Sequence, residues 1–528
     1  MSRRGWIGGR GCGWAVVAAM CFACEAPEGP ADPDAACDGP VTFALAQAWE
    51  EQDLPDIDPQ KRIAPGVAIG DLDGDGAPDI WMSYEGGSMV LRNDGAGGFT
   101  EADARLDGAV LPPAGSVALA DLDGDGDLDA WIGRRSGSDL LAYNEGGLRF
   151  RAVETEDSAY RPWTGSFGDF DLDGDLDLVV GTFNPAFDPY AIVAGGESGA
   201  GMAVHLQGAD GVFHKRYDAI PEESLTSLNL QPTLIDADQD GDLDLYLAND
   251  FGPYVLPNRL LLNDGTGRFE RAPDCGCEVA MFAMGAGGGD ANGDGLPDLF
   301  ISNVGQPVLL LGVGDGSFYD ATLASGAAIP PTSSNMTSWG TAFADLTLDG
   351  CEDMVIGYGR LGDGFDVSTL ATADTSWVDG DEQNAVLLRG DCVGGFERWD
   401  EAGFTEPSRS RALAIGDLNR DGRPDIVTVG KQFLHIWIAA GGCPALRVTL
   451  DAGPGNRQGL GARVRSWSGD SVQTRWMLPA TTSSSSLAEL YFSSHALFDR
   501  VEVTWPGGVT TVAEDVPEHG DWHGVLPQ

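Results

Sequence analysis

Asp71-Leu-Asp73-Gly-Asp75-Gly76-Ala-Pro-Asp79 runs straight into Ile80-Trp-Met-Ser, and this junction of an acidic loop with an apolar stretch decides the fold. The pattern D-x-D-x-D-G-x-x-D, or a near variant, returns from Asp121 to Asp129, Asp169 to Asp177, Asp236 to Asp244, Asp290 to Asp298, Asp345 to Asp353 and Asp417 to Asp425. Each copy opens a run such as Asp129-Ala-Trp-Ile, Asp177-Leu-Val-Val or Asp298-Leu-Phe-Ile, rich in the β-branched and aromatic residues of strands. Self-similarity at a period of tens of residues marks an array of like structural units.

The loop has the chemistry of a calcium site. Carboxylates at positions 1, 3, 5 and 9 offer hard oxygens to one point, and Gly at position 6 permits the sharp turn. Without a cation the acids repel one another, each close pair by about 4 kcal/mol at an effective dielectric near 20. The candidate ligands are Asp71, Asp73, Asp75 and Asp79; Asp121, Asp123, Asp125 and Asp129; Asp169, Asp171, Asp173 and Asp177; Asp236, Asp238, Asp240 and Asp244; Asp290, Asn292, Asp294 and Asp298; Asp345, Asp349 and Asp353; and Asp417, Asn419, Asp421 and Asp425. Loops five and seven exchange one carboxylate for Asn292 or Asn419. Loop six has Thr347 at position 3 and is expected to be the weakest site.

An EF-hand begins the same way but needs a bidentate Glu at position 12 and flanking helices. Position 12 here is Met82, Ile132, Val180, Leu247, Ile301, Ile356 or Thr428, so that assignment fails. A second element recurs between the loops, a Gly-rich turn ending in Phe: Phe99, Phe150, Phe213, Phe269, Phe318 and Phe396. Turns of the Asn-Asp-Gly type join hairpin strands, so each unit holds about four strands, the size of a propeller blade. No such Phe follows loop seven, whereas Val41-Thr-Phe43 precedes loop one. The N-terminal strand is therefore expected to supply the outer strand of the seventh blade and remove a free sheet edge.

Residues 41–442 resemble the FG-GAP or VCBS repeat proteins, whose propeller also forms the headpiece of integrin α-chains. The resemblance implies an all-β fold, a seven-bladed β-propeller with structural Ca²⁺ in its hairpin loops, and ligands met by other loops. Residues 443–528 look like an ASPIC/UnbV domain, as in bacterial relatives of cartilage acidic protein, on the strength of Asn456-Arg-Gln-Gly-Leu-Gly461, Arg463-Val464 and Arg500-Val-Glu-Val-Thr-Trp505-Pro506-Gly507-Gly508. Where that family has His-Phe-Gly-Leu-Gly, this chain reads Tyr491-Phe-Ser-Ser-His-Ala-Leu-Phe498. Only the domain's identity carries over, not a function.

With 31 basic and 82 acidic residues the formal charge is -51, which disfavours nucleic acid or an anionic membrane surface as partner. Arg3, Arg4 and Arg10 precede the apolar stretch Trp14 to Ala23, too short to span a membrane and suited to a signal peptide over residues 1–24. Cys24, followed by the acidic, Pro-rich stretch 25–40, resembles the lipidated first residue of a bacterial lipoprotein and its tether. Membrane attachment is then expected only through that anchor, at the cell envelope, with free secretion as the alternative. Ser2-Arg-Arg-Gly-Trp-Ile7 is similar to a twin-arginine signal. Beyond Cys24 remain Cys37, Cys275, Cys277, Cys351, Cys392 and Cys443, an even number, as disulfides in an oxidising compartment require. Cys275-Gly-Cys277 is alternatively a redox or metal pair.

Catalytic motifs are missing: no H-E-x-x-H, G-x-S-x-G or Walker loop occurs, and there are 6 His in all. His519 and His523 stand at i, i+4, in what reads as an exposed tail. Calcium ligation would make poor general acids of the paired Asp residues, since the cation displaces their protons. The favoured function is a non-enzymatic, calcium-stabilised envelope protein displaying loops for adhesion or for binding a protein or glycan. The insertions Asn184 to Gly211, Asn249 to Asn258 and Arg360 to Glu382 are the expected contact surfaces. The alternative is an extracellular hydrolase or lyase acting on polysaccharide or phospholipid. Such enzymes generally append a catalytic domain, for which this chain leaves little length.

Overall fold

The computed structural model describes residues 39–527 apart from 51–64, 85, 135–136, 157–160, 184–191, 193–201, 329–336, 360–384, 405–409, 431–432, 479, 482, 495–496, 515 and 518. The signal, Cys24 and Cys37 lie outside the described residues, as does the insertion 360–382. In all seven loops the last Asp is also the first residue of a strand: Asp79–Tyr84, Asp129–Gly133, Asp177–Phe183, Asp244–Asn249, Asp298–Asn303, Asp353–Tyr358 and Asp425–Gly430. Each of these pairs antiparallel with the strand that enters its loop, as Gly66–Gly70 does with Asp79–Tyr84. Two further antiparallel strands complete a meander, Gly87–Asn93 and Phe99–Ala102 in the first sheet.

Seven such sheets follow one another. The second also takes in the short strands Arg105–Leu106 and Ala109–Val110. In the last sheet the fourth strand comes from the N-terminus: Thr42–Glu50 pairs antiparallel with Phe433–Ala440, Phe43 opposite Ala439. The entering strand of each sheet lies against that of the next, and the seventh lies against the first. This is a propeller arrangement, with the acidic loops together at one end.

Packing between sheets explains the repeated Phe. Each is buried on the sheet before its own: Phe99 with Val427 and Ile436 of the seventh, Phe150 with Trp81 of the first, Phe213 with Trp131 of the second, and Phe269 with Phe170 of the third. Phe318, Phe396 and Phe43 continue the series on the fourth, fifth and sixth. Most of the apolar core thus lies between sheets. Buried aromatic pairs of this kind contribute about 0.5–1.5 kcal/mol beyond the area they bury.

The C-terminal segment forms two small sheets. Leu446–Asp451 lies between Leu490–Phe492 and Gly520–Val525, and the other sheet has the order Ser471–Trp476, Arg463–Ser468, Arg500–Thr504, Thr510–Ala513. Part of this segment enters the propeller. Ala480–Thr481 and Ser484–Ser485 pair with each other, and Ser484–Ser485 adds in parallel to Gly66–Gly70 of the first sheet. Between them these two short strands touch the entering strands of all seven sheets. Entering strands leave unpaired N–H and C=O groups along the axis, and buried backbone groups need partners. The plug supplies several: Ser483 O accepts from Val67 N at 3.2 Å, Ser486 Oγ from Ile415 N at 3.0 Å, and Leu487 N donates to Ile415 O at 3.0 Å.

Candidate metal centres

The ninth-position Asp is the most buried part of each loop. Its two oxygens are held alike throughout: one accepts a backbone N–H inside the loop, the other a backbone N–H of the third strand. In loop one these are Leu72 N at 3.1 Å and Asn93 N at 2.9 Å; in loop four they are Ala237 N and Asn263 N, both at 2.8 Å. In loop six the inner donor shifts by one residue to Thr347 N, at 2.7 Å. The ninth carboxylate therefore ties loop to sheet as well as facing the loop's interior. Burial pushes Asp79 and Asp129 up to about 7 and Asp177, Asp244 and Asp298 up to about 8, against the lowering effect of these hydrogen bonds. Asp353 and Asp425 are raised as well, again by burial.

Position 1 receives the turn itself. Asp71 Oδ1 accepts from Gly74 N at 2.9 Å and Oδ2 from Gly76 N at 2.9 Å, and Asp121 repeats this with Gly124 and Gly126. Gly at position 6 has φ of +90° in loop one and +101° in loop two, the left-handed region the turn requires. Position 5 accepts the N–H of position 7, as Asp75 does from Ala77 at 3.0 Å.

In loops one to four, positions 1, 3 and 9 converge: Asp71, Asp73 and Asp79; Asp121, Asp123 and Asp129; Asp169, Asp171 and Asp177; Asp236, Asp238 and Asp244. Each trio offers three oxygens within 4.8 Å of one another. Oxygens across a single Ca²⁺ stand about 4.6–5.2 Å apart, so the trios suit such an ion. Position 5 is not part of these trios. The other three loops have no carboxylate at position 3, and no trio of acids converges in them among the described residues. Asn292 and Asn419 turn their amides on Asp294 and Asp421, at 2.9 and 3.1 Å, and Thr347 Oγ1 is buried without a partner.

The trios differ in what already faces them. Arg92 reaches Asp73 at 2.5 Å and Asp75 at 2.8 Å in loop one. Two more come from the propeller, Arg389 at 3.1 Å from Asp349 in loop six and Arg423 at 3.5 Å from Asp421 in loop seven, and three from the C-terminal domain: Arg457 lies 3.2 Å from Asp121, Arg447 3.8 Å from Asp417, and Arg475 3.2 Å from Glu352 of loop six. Asn456-Arg457-Gln458 thus packs on loop two, where Gln458 also accepts Asp121 N at 3.3 Å. Gly455 approaches loop three so closely that a Cβ would stand 2.2 Å from Gly174 O. Asp169 Oδ1, Asp171 Oδ1, Asp236 Oδ1 and Asp290 Oδ1 are buried with no hydrogen-bond partner. A buried carboxylate oxygen left bare is costly, and a cation is the group that would satisfy it.

Other residues singled out in the sequence fall as follows. Cys275 and Cys277 are disulfide-bonded to each other and buried, so their thiols are not a metal pair. Cys351 pairs with Cys392, and Cys443 is also disulfide-bonded. The segment from Asn249 to Asn258, expected as a contact surface, is partly drawn in: Asn249, Phe251 and Asn258 are buried, Tyr254 and Val255 are half-buried against the cluster that holds Trp163, Phe183 and Trp339, and Pro253 is exposed. Aromatic residues in an insertion are read as readily for burial as for display. Of the insertion from Asn184 to Gly211, Met202–Gln207 is a blade strand. His523 lies on the strand Gly520–Val525 with His519 just before it, where i, i+4 is about 13 Å, too far to share a metal. His523 Nδ1 is 3.0 Å from Thr449 Oγ1.

Sequence reasoning missed the links between blades. Asn93 Nδ2 donates to Leu418 O of loop seven at 2.7 Å, Asn144 Nδ2 to Leu72 O at 2.9 Å, Gln207 Nε2 to Leu122 O at 3.0 Å and Asn263 Nδ2 to Phe170 O at 2.8 Å. The signal was present: an amide side chain ends the third strand in four units.

Four segments, 71–132, 121–180, 236–301 and 290–356, match the FG-GAP-like repeat, and 453–522 matches ASPIC and UnbV. No curated protein matches the chain. Among solved structures, an Agrocybe aegerita lectin that recognises non-reducing terminal N-acetylglucosamine is 18% identical, with 70% of this chain and 86% of the lectin covered and a TM-score of 0.41. A chain from the mercury-soaked complex of BBS1N with ARL6DN is 11% identical, with coverages of 76% and 97% and a TM-score of 0.43. The chain belongs with the FG-GAP-like repeat proteins that carry an ASPIC and UnbV domain at their C-terminal end.

Proposed function

We propose that this protein is a calcium-stabilised binding or adhesion protein of the extracytoplasmic envelope, a closed seven-bladed propeller that meets a protein or glycan through its loops. The observation that carries the calcium part is the set of four Asp trios at hairpin ends, with bare, buried carboxylate oxygens in loops three and four. In this reading Ca²⁺ offsets charge and holds the loops rigid, and performs no chemistry. Neither kind of domain is a known catalytic fold. Repeat proteins of this type are typically extracellular, and the two described disulfides suit an oxidising compartment. Among the described residues no helix is long and apolar enough to cross a membrane. The lipid anchor at Cys24 remains part of the proposal.

Calcium is tested by counting bound metal in the purified protein and melting it with and without EDTA. A site binding at about 10 μM in about 1 mM Ca²⁺ contributes about 2.7 kcal/mol, so several together exceed the net stability of an ordinary domain. No bound metal and an unchanged melting temperature would refute it. A glycan array and a pull-down, both with the calcium-loaded protein, test the binding reading.

A further inference from the structure

The penultimate residue of the entering strand is large and apolar in six sheets: Ile69, Leu119, Phe167, Leu234, Phe343 and Ile415. The fifth sheet has Gly288 there, exposed although the rest of its strand is buried. Nothing in the backbone asks for glycine at this place. Its φ lies outside the left-handed region, and a Cβ would meet no atom nearer than Asp298 O at 3.8 Å. Its neighbours differ, since a Cβ on Gly287 would stand 3.0 Å from Thr341 O and one on Gly289 2.4 Å from Glu352 Oε2. Gly288 instead lines a cavity of about 110 Å³ between the propeller and the C-terminal domain. The six apolar residues, all but Ile69, form one side of it, and Met477, Leu487 and Leu490 form the other.

Charged side chains also reach the wall, and each already has partners. Arg475 stands 3.2 Å from Glu352, Glu489 lies 2.6 Å from Arg420 and accepts Tyr491 Oη at 2.7 Å, and Asp345 accepts two backbone N–H groups at 3.0 Å. A charged guest would therefore be buried without a counter-charge, which is costly. We infer that this cavity is a binding site for a small, uncharged, mainly apolar molecule of about the size of benzene. Protein interiors are otherwise close-packed, and an apolar cavity of about 150 Å³ in another protein takes up benzene or xenon. The side chain that Gly288 lacks makes the space and opens it to solvent. Because the walls come from both domains, such a guest is held only while the C-terminal domain is docked, and it ties that domain to the propeller. The site is separate from the calcium loops and does not depend on their reading.

The test uses the full-length, calcium-loaded protein with benzene, and with benzoate and benzylamine as charged molecules of similar size. Benzene is expected to raise the melting temperature of the parent, and xenon under pressure to appear beside Gly288 in crystals. The two charged molecules should bind at least about tenfold more weakly. G288L, which puts a side chain into the space, should lose the response to benzene, and G288A should keep only part of it. No response of the parent to benzene, or no xenon in the cavity, overturns the inference whatever G288L does. Benzene that stabilises parent and G288L alike has bound elsewhere, which also overturns it, as does benzoate or benzylamine stabilising as well as benzene. If G288L fails to fold, G288A decides: a weaker response than the parent's supports the inference, and an equal one overturns it.

Discussion

Replacing Arg475 with Met should destabilise the protein more than any surface change. The residue lies where the C-terminal domain meets loops five and six, with its side chain 7% exposed. Its Nε is 3.2 Å from Glu352 Oε1, and it donates to Gly350 O at 3.2 Å. Glu352 Oε2 in turn accepts the backbone N–H of Asp290 at 2.5 Å. Burial raises Glu352, lifts Asp290 to about 7 and Asp345 to about 6, and Arg475 opposes all three shifts. Met keeps the length of the stem and removes the charge, with the guanidinium that stands 5.7 Å from the centre of the Phe492 ring. Three buried carboxylates then lose their shared cation, and breaking one buried pair already costs about 3–5 kcal/mol. Protonation is the escape: the native variant takes up protons that the unfolded chain has released, so the loss should be smaller at pH 5.5 than at pH 7.5. The assay is equilibrium unfolding in saturating calcium of the parent, R475M, E352Q and the double variant. E352Q should recover about 1–3 kcal/mol of the R475M loss through coupling of direct neighbours. A midpoint for R475M equivalent to less than about 0.5 kcal/mol, the range of inert surface changes, would refute the reasoning.

Three further predictions test other parts of the fold. Asn93→Ala leaves Leu418 O and Pro78 O without their donors and should cost about 1–3 kcal/mol in a denaturant series; an unchanged midpoint would deny the link across the chain ends. Phe150→Ala, which opens a gap beside Trp81 with ring centroids 5.2 Å apart, should cost about 3–5 kcal/mol, while Val153→Ala, 39% exposed, should be neutral. Asp139 is raised to about 8 by burial, so between about pH 4 and pH 8 the native state keeps a proton that the unfolded chain loses. Stability from this group is present below the ordinary carboxylate range and lost as pH rises through 8. Asp139→Asn should therefore flatten the fall of melting temperature with pH in calcium-saturated protein, and parallel curves would contradict the assignment.

How much could be read beforehand depends on how local each cause is. The strand after every loop was legible because the ninth Asp opens it, and the pleat shows at once in runs such as Asp79-Ile-Trp-Met. The Phe residues could be placed between blades because a buried aromatic at a fixed place in a repeat has few other uses. Thr347 marked loop six as different, and the structure shifts its inner hydrogen bond by one residue. Partners that are distant in sequence were not legible. Arg457 meets Asp121 across 336 positions of chain, and nothing in Asn456-Arg-Gln-Gly announces that it packs on an acidic loop. The inward turn at Phe251 was hidden for a similar reason, since its partners Trp163 and Trp339 come from other blades.

A chain of charge -51 that gathers its acids at one end of a propeller has to neutralise them there, and the structure shows two means of doing so, with room for a third. Backbone N–H groups take both oxygens of every ninth Asp. Arginines take loops one, two, six and seven directly and reach loop five through Glu352; Arg92, Arg389 and Arg423 belong to the propeller, and Arg447, Arg457 and Arg475 to the C-terminal domain. What is left bare is concentrated in loops three and four, at Asp169, Asp171, Asp236 and Asp242. If arginine and cation are alternative answers to the same repulsion, calcium should matter most where the cap supplies no ion pair. Removing the cap should then raise the calcium demand of loops two and seven while leaving loop three much as it was. Arg457→Gln puts this to a direct test. It should enlarge the stability gained on saturating with calcium and lower the calcium concentration at which half of that gain is reached, because a competing positive charge has left Asp121, and an Asp169→Asn background should not cancel the effect, because the two loops answer to different charges.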